Sequence, residues 1–203
     1  MAKKNEGKEM SIISDLRKKA VNGGPEWARY LGSCLLAGEY ETSAGEVRRI
    51  RKNEEEALYW LRQAADGGDA GAMIELGAYY GNLANHDRSC FVQALFWEKK
   101  AWQAKCEVAG QNIAVTYSMM GKRRLSHQWL KRGYERCKWS TRFSLAKTFL
   151  CGYGVRRDVP MAKRLFLEVI GDRRSHPQHK ALARKYLRII RRGDKPDGKV
   201  IYP

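Results

Sequence analysis

The chain has 203 residues, with 39 lysines and arginines against 22 aspartates and glutamates, and a net charge of +17 at pH 7. Its hydrophobic content of 43% is typical of a folded protein, so we do not expect the chain to be intrinsically disordered. No apolar run is long enough to predict a membrane-spanning helix. The excess charge lies in the second half: residues 1–100 carry 15 basic and 15 acidic residues, whereas residues 101–203 carry 24 and 7. This asymmetry indicates an acidic partner surface, nucleic acid or an anionic membrane.

The amino-terminal segment predicts a helix at about 9–22. The stretch "MAKKNEGKEMSIISDLRKK" is basic but lacks the apolar core of a secretory signal peptide, so we expect a cytoplasmic protein. Five cysteines without a CxxC pair fit a reducing compartment, where free cysteines usually serve as small core residues.

A repeated two-helix pattern follows along most of the chain. Segment 16–38, "LRKKAVNGGPEWARYLGSCLLAG", aligns with segment 60–81, "WLRQAADGGDAGAMIELGAYYG", so that alanines, Gly-Gly pairs and Leu-Gly pairs coincide. The spacing of corresponding residues is 44, 37, 32 and 36 along the series Leu16, Trp60, Trp97, Trp129 and Leu165. In the clearest unit, residues 54–66 predict a helix that the Gly67-Gly68 pair ends, and the next helix begins shortly after it. The segment "EYETSAGEVRRIRKNEE", which includes residues 39–53, predicts a long loop that is flexible or functional.

The later segment "GYGVRRDVPMAKRLF" at 152–166 resembles the loop and second helix of the Sel-one-like (Sel1-like) repeat, a relative of the tetratricopeptide repeat. The resemblance covers about residues 16–190 and is weakest at 105–140. The matching residues in this segment are Gly152, Gly154, Val155, Asp158 and Ala162.

The resemblance implies an all-α fold, a right-handed α/α superhelical solenoid of about four to five helix pairs. We expect an amino-terminal helix, four helix pairs and a last helix at about 178–192. The whole of 1–203 is then a single repeat domain, with repeats at about 9–192 and an extended carboxyl-terminal tail at 193–203. The first helices of the pairs are expected to line a concave groove.

The sequence contains few residue patterns that would indicate catalysis or metal binding. No glycine-rich phosphate loop, HExxH or GxSxG is present, and the four histidines are too scattered to predict a metal site. His127 with Cys137 or Cys151 is better explained by core packing than by nucleophilic chemistry. We therefore expect a protein that is not an enzyme and that uses no cofactor and no metal.

The groove-lining positions predict where a partner binds. The first helix of each pair turns one face towards the core. Successive residues are 100° apart around a helix, and by this geometry the groove-lining residues lie on the opposite face. The predicted groove is mixed in charge at its beginning and basic at its end. The predicted partner-binding residues are Arg29, Tyr30, Ile74, Glu75, Gln111, Asn112, Phe143, Lys147, Lys180, Arg184 and Arg188.

These features favour a monomeric, non-catalytic protein-binding scaffold whose basic carboxyl-terminal half docks an acidic protein. By analogy with adaptor repeats, the partner would be a toxin domain and the chain a bacterial immunity protein that neutralises it. The alternative is a nucleic-acid-binding module, because "KRGYERCKWSTRF" at 131–143 interleaves basic residues with rings that can stack on bases. A weaker alternative is attachment of residues 180–192 to an anionic membrane.

Overall fold

The computed structural model describes residues 2–42 and 44–193, and this part of the chain is predominantly helical. The residues of the predicted tail beyond Gly193 lie outside the described part. Within the described part there are ten helices and one short hairpin. The helices are α1 Ala2–Asn22, α2 Pro25–Ala37, α3 Glu54–Asp66, α4 Ala70–Leu83, α5 Cys90–Gln103, α6 Ala109–Met119, α7 Arg123–Arg136, α8 Lys138–Cys151, α9 Val159–Gly171 and α10 Pro177–Arg192, and the strands are β1 Glu39–Glu41 and β2 Val47–Arg49.

The helices pack as successive pairs. The closest packing joins α2 with α3, α4 with α5, α6 with α7, and α8 with α9, while α1 precedes and α10 follows these four pairs. The predicted all-α repeat fold is therefore confirmed. Within residues 2–42 and 44–193, no helix has both the length and the apolar character needed to cross a membrane.

Asparagine and aspartate side chains cap the start of three of these helices. Asn53 accepts a hydrogen bond from the Glu56 amide at 3.2 Å, at the beginning of α3. Asp69 and Asp158 accept equivalent bonds, at 2.8 and 2.9 Å, at the beginnings of α4 and α9. Each cap satisfies one backbone donor that the helix itself leaves without a partner, which fixes where the helix starts.

The repeated Leu-Gly pairs are explained by close contact between the two helices of a pair. A Cβ atom at Gly32 of α2 would lie 2.7 Å from Leu61 Cγ of α3. A Cβ atom at Gly77 of α4 would lie 2.7 Å from Glu98 Cγ of α5. Since real Cβ atoms do not approach this closely, glycine at these positions lets the second helix pack directly against the first.

The predicted loop at 39–53 contains a two-stranded hairpin. Strands β1 and β2 are antiparallel, and Tyr40 lies opposite Arg48. The Ile50 amide donates to the Gly38 carbonyl at 2.9 Å, which ties the end of the hairpin to the end of α2. This segment thus has regular structure that the sequence prediction did not include.

The chain divides into two compact units, the first ending at Ala104 and the second beginning at Lys105. Each has its own buried residues, such as Leu31, Leu61 and Leu76 in the first unit. In the second unit, Phe166 and Leu165 lie at the centre of the core cluster. The first unit carries no net charge, and the second carries the whole excess of 17 positive charges. The prediction that both form one domain stays a prediction.

Candidate functional site

The predicted groove residues of the first unit are engaged with one another. Arg29 on α2 lies between two carboxylates, with its Nε 3.1 Å from Asp69 and its guanidinium 3.5 Å from Glu75. Burial alone would lower the pKa of Arg29, but the hydrogen bonds and charges of Asp69 and Glu75 raise it. Because this cation is already balanced by two anions of the same unit, it offers little attraction to an acidic partner.

Hydrogen bonds hold the neighbouring residues in place. Ser33 on α2 donates to the Glu75 carboxylate on α4, so that the first helices of two successive pairs are joined. The Tyr30 hydroxyl donates to the Glu41 carbonyl of β1 at 3.1 Å. Ile74 lies half-buried on α4. The sequence placed these groove residues together on one surface, but it did not indicate that most of their polar groups already have partners within the unit.

Two predicted groove residues of the second unit, Phe143 and Lys147, are buried rather than open to a partner. Phe143 on α8 is 8% exposed, because His179 stacks on its ring at 4.7 Å and Tyr186 lies 6.2 Å from it. Lys147, one turn further along α8, is 9% exposed, with its Nζ 5.5 Å from the centre of the Phe143 ring. The physical reason is that α10 places His179 and Tyr186 over the face of α8 that the sequence left open. Gln111 and Asn112 on α6 are half-buried.

Burial changes the protonation of this cluster. It lowers the pKa of the Lys147 ammonium, and the nearby Cys151 thiol opposes that shift. It also lowers the pKa of His179, and the positive charges of His176 and Lys147 act in the same direction. His179 and Lys147 therefore lie close together at the contact between α8 and α10, where nearby positive charge disfavours the charged form of His179.

The predicted basic end of the groove is exposed on α10. Lys180, Arg184 and Arg188 recur every four residues, which places them on one stripe of the helix. Lys180 is half-buried, while Arg184 and Arg188 are exposed. We call these three residues the α10 stripe. None of them makes an ion pair with a carboxylate in the part of the chain that the structure describes.

A buried ion-pair cluster on the same unit was missed by the sequence analysis. Arg142 on α8 is 6% exposed and donates to the Glu168 carbonyl at 2.9 Å and to the Asp172 carboxylate at 3.2 Å. Arg142 belongs to a basic run that predicted a surface, and its carboxylate partners lie about thirty residues further along the chain. The cluster joins α8 to the end of α9 and is therefore a structural element rather than a binding site.

The aromatic side chains of 131–143 are also engaged internally. The Trp139 indole donates to the Glu107 carboxylate at 3.0 Å, and the Tyr134 hydroxyl donates to Glu168 at 2.9 Å. Phe143 lies in the core. Stacking on bases requires accessible ring faces, so these contacts count against this segment as a base-stacking platform.

The histidine and cysteine residues that the sequence singled out have packing roles. His127 is buried, shares a 2.9 Å hydrogen bond between its Nδ1 and Thr148 Oγ1, and packs edge-on against Phe149. Burial raises the pKa of the Cys151 thiol, which lowers its reactivity at neutral pH. Within residues 2–42 and 44–193, no group of three or more potential ligands is placed to hold a metal ion.

The buried His127 gives a pH-dependent contribution to stability. Burial lowers the pKa of His127 in the folded state, so the unfolded state takes up a proton first as pH falls. The free energy of unfolding should therefore decrease as pH falls below about 6.5, the ordinary histidine pKa. We expect the His127→Gln variant, which cannot titrate there, to lose less stability between pH 7.5 and pH 5 than the wild type, measured as the urea midpoint. Equal losses in both proteins would contradict this assignment.

Comparison with solved structures identifies the same repeat. The chain superposes with a TM-score of 0.66 and 24% identity on the crystal structure of a protective antigen present in uropathogenic Escherichia coli strains, which displays an SLR (Sel1-like repeat) fold. It superposes with a TM-score of 0.52 and 21% identity on a Sel1 repeat protein from Oxalobacter formigenes. These alignments cover 90% and 71% of this chain, but only 37% and 57% of the other two chains.

The chain therefore has the fold of the Sel1-like repeat, as the sequence resemblance predicted. It spans well under two thirds of the length of both solved structures. No protein-family model and no curated protein sequence matches it. At these identities the likeness establishes the fold, and the function has to be argued from the residues of this chain.

Proposed function

We propose that this chain is a non-catalytic protein-binding scaffold that docks an acidic protein through the basic surface of its second unit. The observation that carries the proposal is the contrast between the two predicted ends of the groove. In the first unit, Arg29 is balanced by Asp69 and Glu75, whereas the α10 stripe has no carboxylate partner among the described residues. Cations that lack a carboxylate partner in the described part of the chain are available to attract an anionic surface.

The composition of α10 supports this role. The helix contains six lysines and arginines and no aspartate or glutamate. One side of it is anchored by Ala183 and Tyr186, which are buried in the core of the second unit. The α10 stripe therefore lies on a helix that is already ordered before a partner docks. Such preorganisation improves affinity because less conformational entropy is lost on binding.

The acidic partner that we favour is a toxin domain, for which the chain would act as an immunity protein. This part of the proposal rests on analogy with adaptor repeats and on the basic surface. It requires the toxin domain to have an acidic face, with carboxylates spaced to meet residues four apart on a helix.

Nucleic acid binding is the alternative that the basic unit leaves open. Phosphates would also be attracted to the α10 stripe, and affinity would then fall steeply between low and moderate salt concentrations. The internal contacts of Trp139, Tyr134 and Phe143 favour a protein partner, because they leave few rings in this region to stack on bases.

Reversing the charge of the stripe tests the proposal. We expect the double variant Arg184→Glu/Arg188→Glu to lose at least tenfold in affinity for the acidic partner, since two attractive contacts become repulsive. The partner is obtained by capture on the tagged wild-type protein from extract of its own cells, with nuclease and moderate salt present. Affinity is then measured with the purified partner by titration calorimetry.

The matched control is Arg156→Glu/Lys163→Glu, which makes the same change in net charge at two exposed positions of the same unit. This control should keep most of the wild-type affinity if the α10 stripe is the docking site. An equal loss in both variants would show that only net charge matters. Capture that disappears entirely with nuclease would reject the protein scaffold in favour of nucleic acid.

A further inference from the structure

A cleft in the first unit lies between α1, α2 and the hairpin, and the proposed docking surface does not use it. Its volume is about 700 Å³, which is in the range of ligand-binding sites. We call it the α1–α2 cleft. Its walls combine three aromatic rings with three carboxylates and one lysine, namely Trp27, Tyr30, Tyr40, Asp15, Glu26, Glu41 and Lys19.

The aromatic wall is held in a fixed arrangement. Trp27 and Tyr30 lie almost one turn apart on α2, with ring centres 6.1 Å apart and ring planes at 90°. The Tyr30 hydroxyl donates to the Glu41 carbonyl, which ties this wall to β1 and so to Tyr40. All three aromatic residues are half-buried, so part of each remains accessible. Aromatic faces held in this way attract cations through the ring quadrupole.

The chain itself places a cation on this wall. The Lys19 ammonium lies 4.6 Å from the centre of the Trp27 ring. Lys19 is exposed near the end of α1, so its side chain can move into solvent without breaking the core. Its position demonstrates that an ammonium group fits against Trp27.

The charges around the α1–α2 cleft favour a second cation over an anion. Asp15, Glu26 and Glu41 outnumber Lys19 by three to one among the lining residues. Of the neighbouring cations, Arg48 is paired outside the cleft with Glu46 at 2.9 Å, whereas Lys18 lies 3.8 Å from the lining residue Asp15. With Asp15 set against Lys18, Glu26 and Glu41 still outnumber Lys19. An acidic cleft in a chain of net charge +17 is a local reversal of sign, and a cationic group is its electrostatic complement.

We propose that the α1–α2 cleft binds a lysine side chain of a partner polypeptide. The incoming ammonium replaces Lys19 on the Trp27 ring and is surrounded by the carboxylates of the cleft, while its alkyl chain packs against Tyr30 and Tyr40. Lys19 then competes with incoming side chains for the Trp27 ring, so that non-cationic side chains do not displace it. The site is on the first unit and does not depend on docking to the α10 stripe.

Three short peptides test the site directly. The probes are acetylated and amidated Gly-Lys-Gly, the same peptide with norleucine in place of lysine, and the same peptide with glutamate. The indole N–H signal of Trp27, assigned with a Trp27→Phe variant, is followed by NMR during titration of the full chain. We expect saturable shifts of this signal with the lysine peptide, at about millimolar affinity, and none with the other two.

Variants of the chain separate the cation site from a nonspecific apolar cleft. Lys19→Met removes the competing ammonium and should tighten binding of the lysine peptide about threefold to tenfold. Glu26→Gln/Glu41→Gln removes two carboxylates and should weaken it by a similar factor. The control Glu55→Gln/Glu135→Gln removes two exposed carboxylates that do not line the cleft, and it should leave the affinity within about twofold.

Each outcome decides the proposal. Equal binding of the norleucine peptide, preferential binding of the glutamate peptide, or weaker binding by Lys19→Met would each overturn it, as would the absence of any saturable shift. Circular dichroism of each variant confirms that the helices are intact. The Arg184→Glu/Arg188→Glu variant should bind the lysine peptide normally, so failure of the α10 docking surface and failure of this cleft give different results.

Discussion

Replacing Gly154 with alanine should destabilise the protein by about 3–5 kcal/mol, one of the largest effects expected of a single methyl group. Gly154 lies in the loop between α8 and α9 and has a φ of +71°, which costs about 1–2 kcal/mol for a residue with a side chain. A Cβ atom there would also lie 2.1 Å from the Arg123 carbonyl oxygen and 2.5 Å from its carbon. These are backbone atoms at the start of α7 and cannot rotate away.

The loop has no easy alternative position. Its Tyr153 hydroxyl lies 2.6 Å from Ser118 Oγ of α6, and the Arg123 guanidinium lies 5.3 Å from the Tyr153 ring. Moving Gly154 away from α7 would therefore disturb contacts that join the loop to two other helices. The steric cost adds to the conformational cost, and both appear in the free energy of unfolding.

Gly121→Ala is the matched control, to be measured by urea denaturation followed by circular dichroism. Gly121 has a similar φ of +75°, but a Cβ atom added there would meet no atom within 4 Å beyond its own chain neighbours. This variant should lose only the conformational part, about 1–2 kcal/mol. If both variants lose the same amount, the contact between the loop and α7 does not contribute as described.

Arg142→Met should cost about 3 kcal/mol, although it replaces a charged residue by an apolar one of similar length. The guanidinium is almost fully buried and contacts the Glu168 carbonyl and the Asp172 carboxylate. Removing it deletes one hydrogen bond at each of these acceptors, which keep only the backbone amides of Asp172 and Arg174 as donors. The cost comes from the lost hydrogen bonds and ion pairs of the buried guanidinium itself, since hydrogen bonds to charged groups are stronger than those between neutral groups.

Two further variants identify the cause. Arg142→Lys keeps the charge but cannot reach both acceptors with a planar fork, so its stability should lie between those of wild type and Arg142→Met. Lys138→Met removes an exposed cation from the first turn of the same helix and should change stability by less than about 0.5 kcal/mol. A loss in Lys138→Met equal to that in Arg142→Met would point to net charge rather than to the ion-pair cluster.

The local pattern of the sequence was enough to predict the helices and their pairing. Alanines and leucines at helical spacing marked the faces that pack, as in α3, and the predicted helix at 54–66 is the helix observed. The hairpin could not be predicted in this way, because β1 and β2 have only three residues each and are rich in charge.

Contacts between elements account for what the sequence did not predict. Phe143 and Lys147 lie on the expected side of α8, but whether that side is open depends on where α10 packs. Arg142 looked like a surface residue because its acidic partners are distant in sequence. The α1–α2 cleft combines residues of two helices and a hairpin, none of which forms a recognisable motif alone.

The unequal charge of the two units has a practical consequence for surface attachment. A cation exchanger or a negatively charged sensor surface attracts the second unit strongly and the first unit hardly at all, at moderate ionic strength. Immobilised molecules should therefore adsorb through the second unit, with the α10 stripe occupied by the support. Adsorption of this kind would mask one candidate interface, whereas the α1–α2 cleft belongs to the unit that the support does not attract.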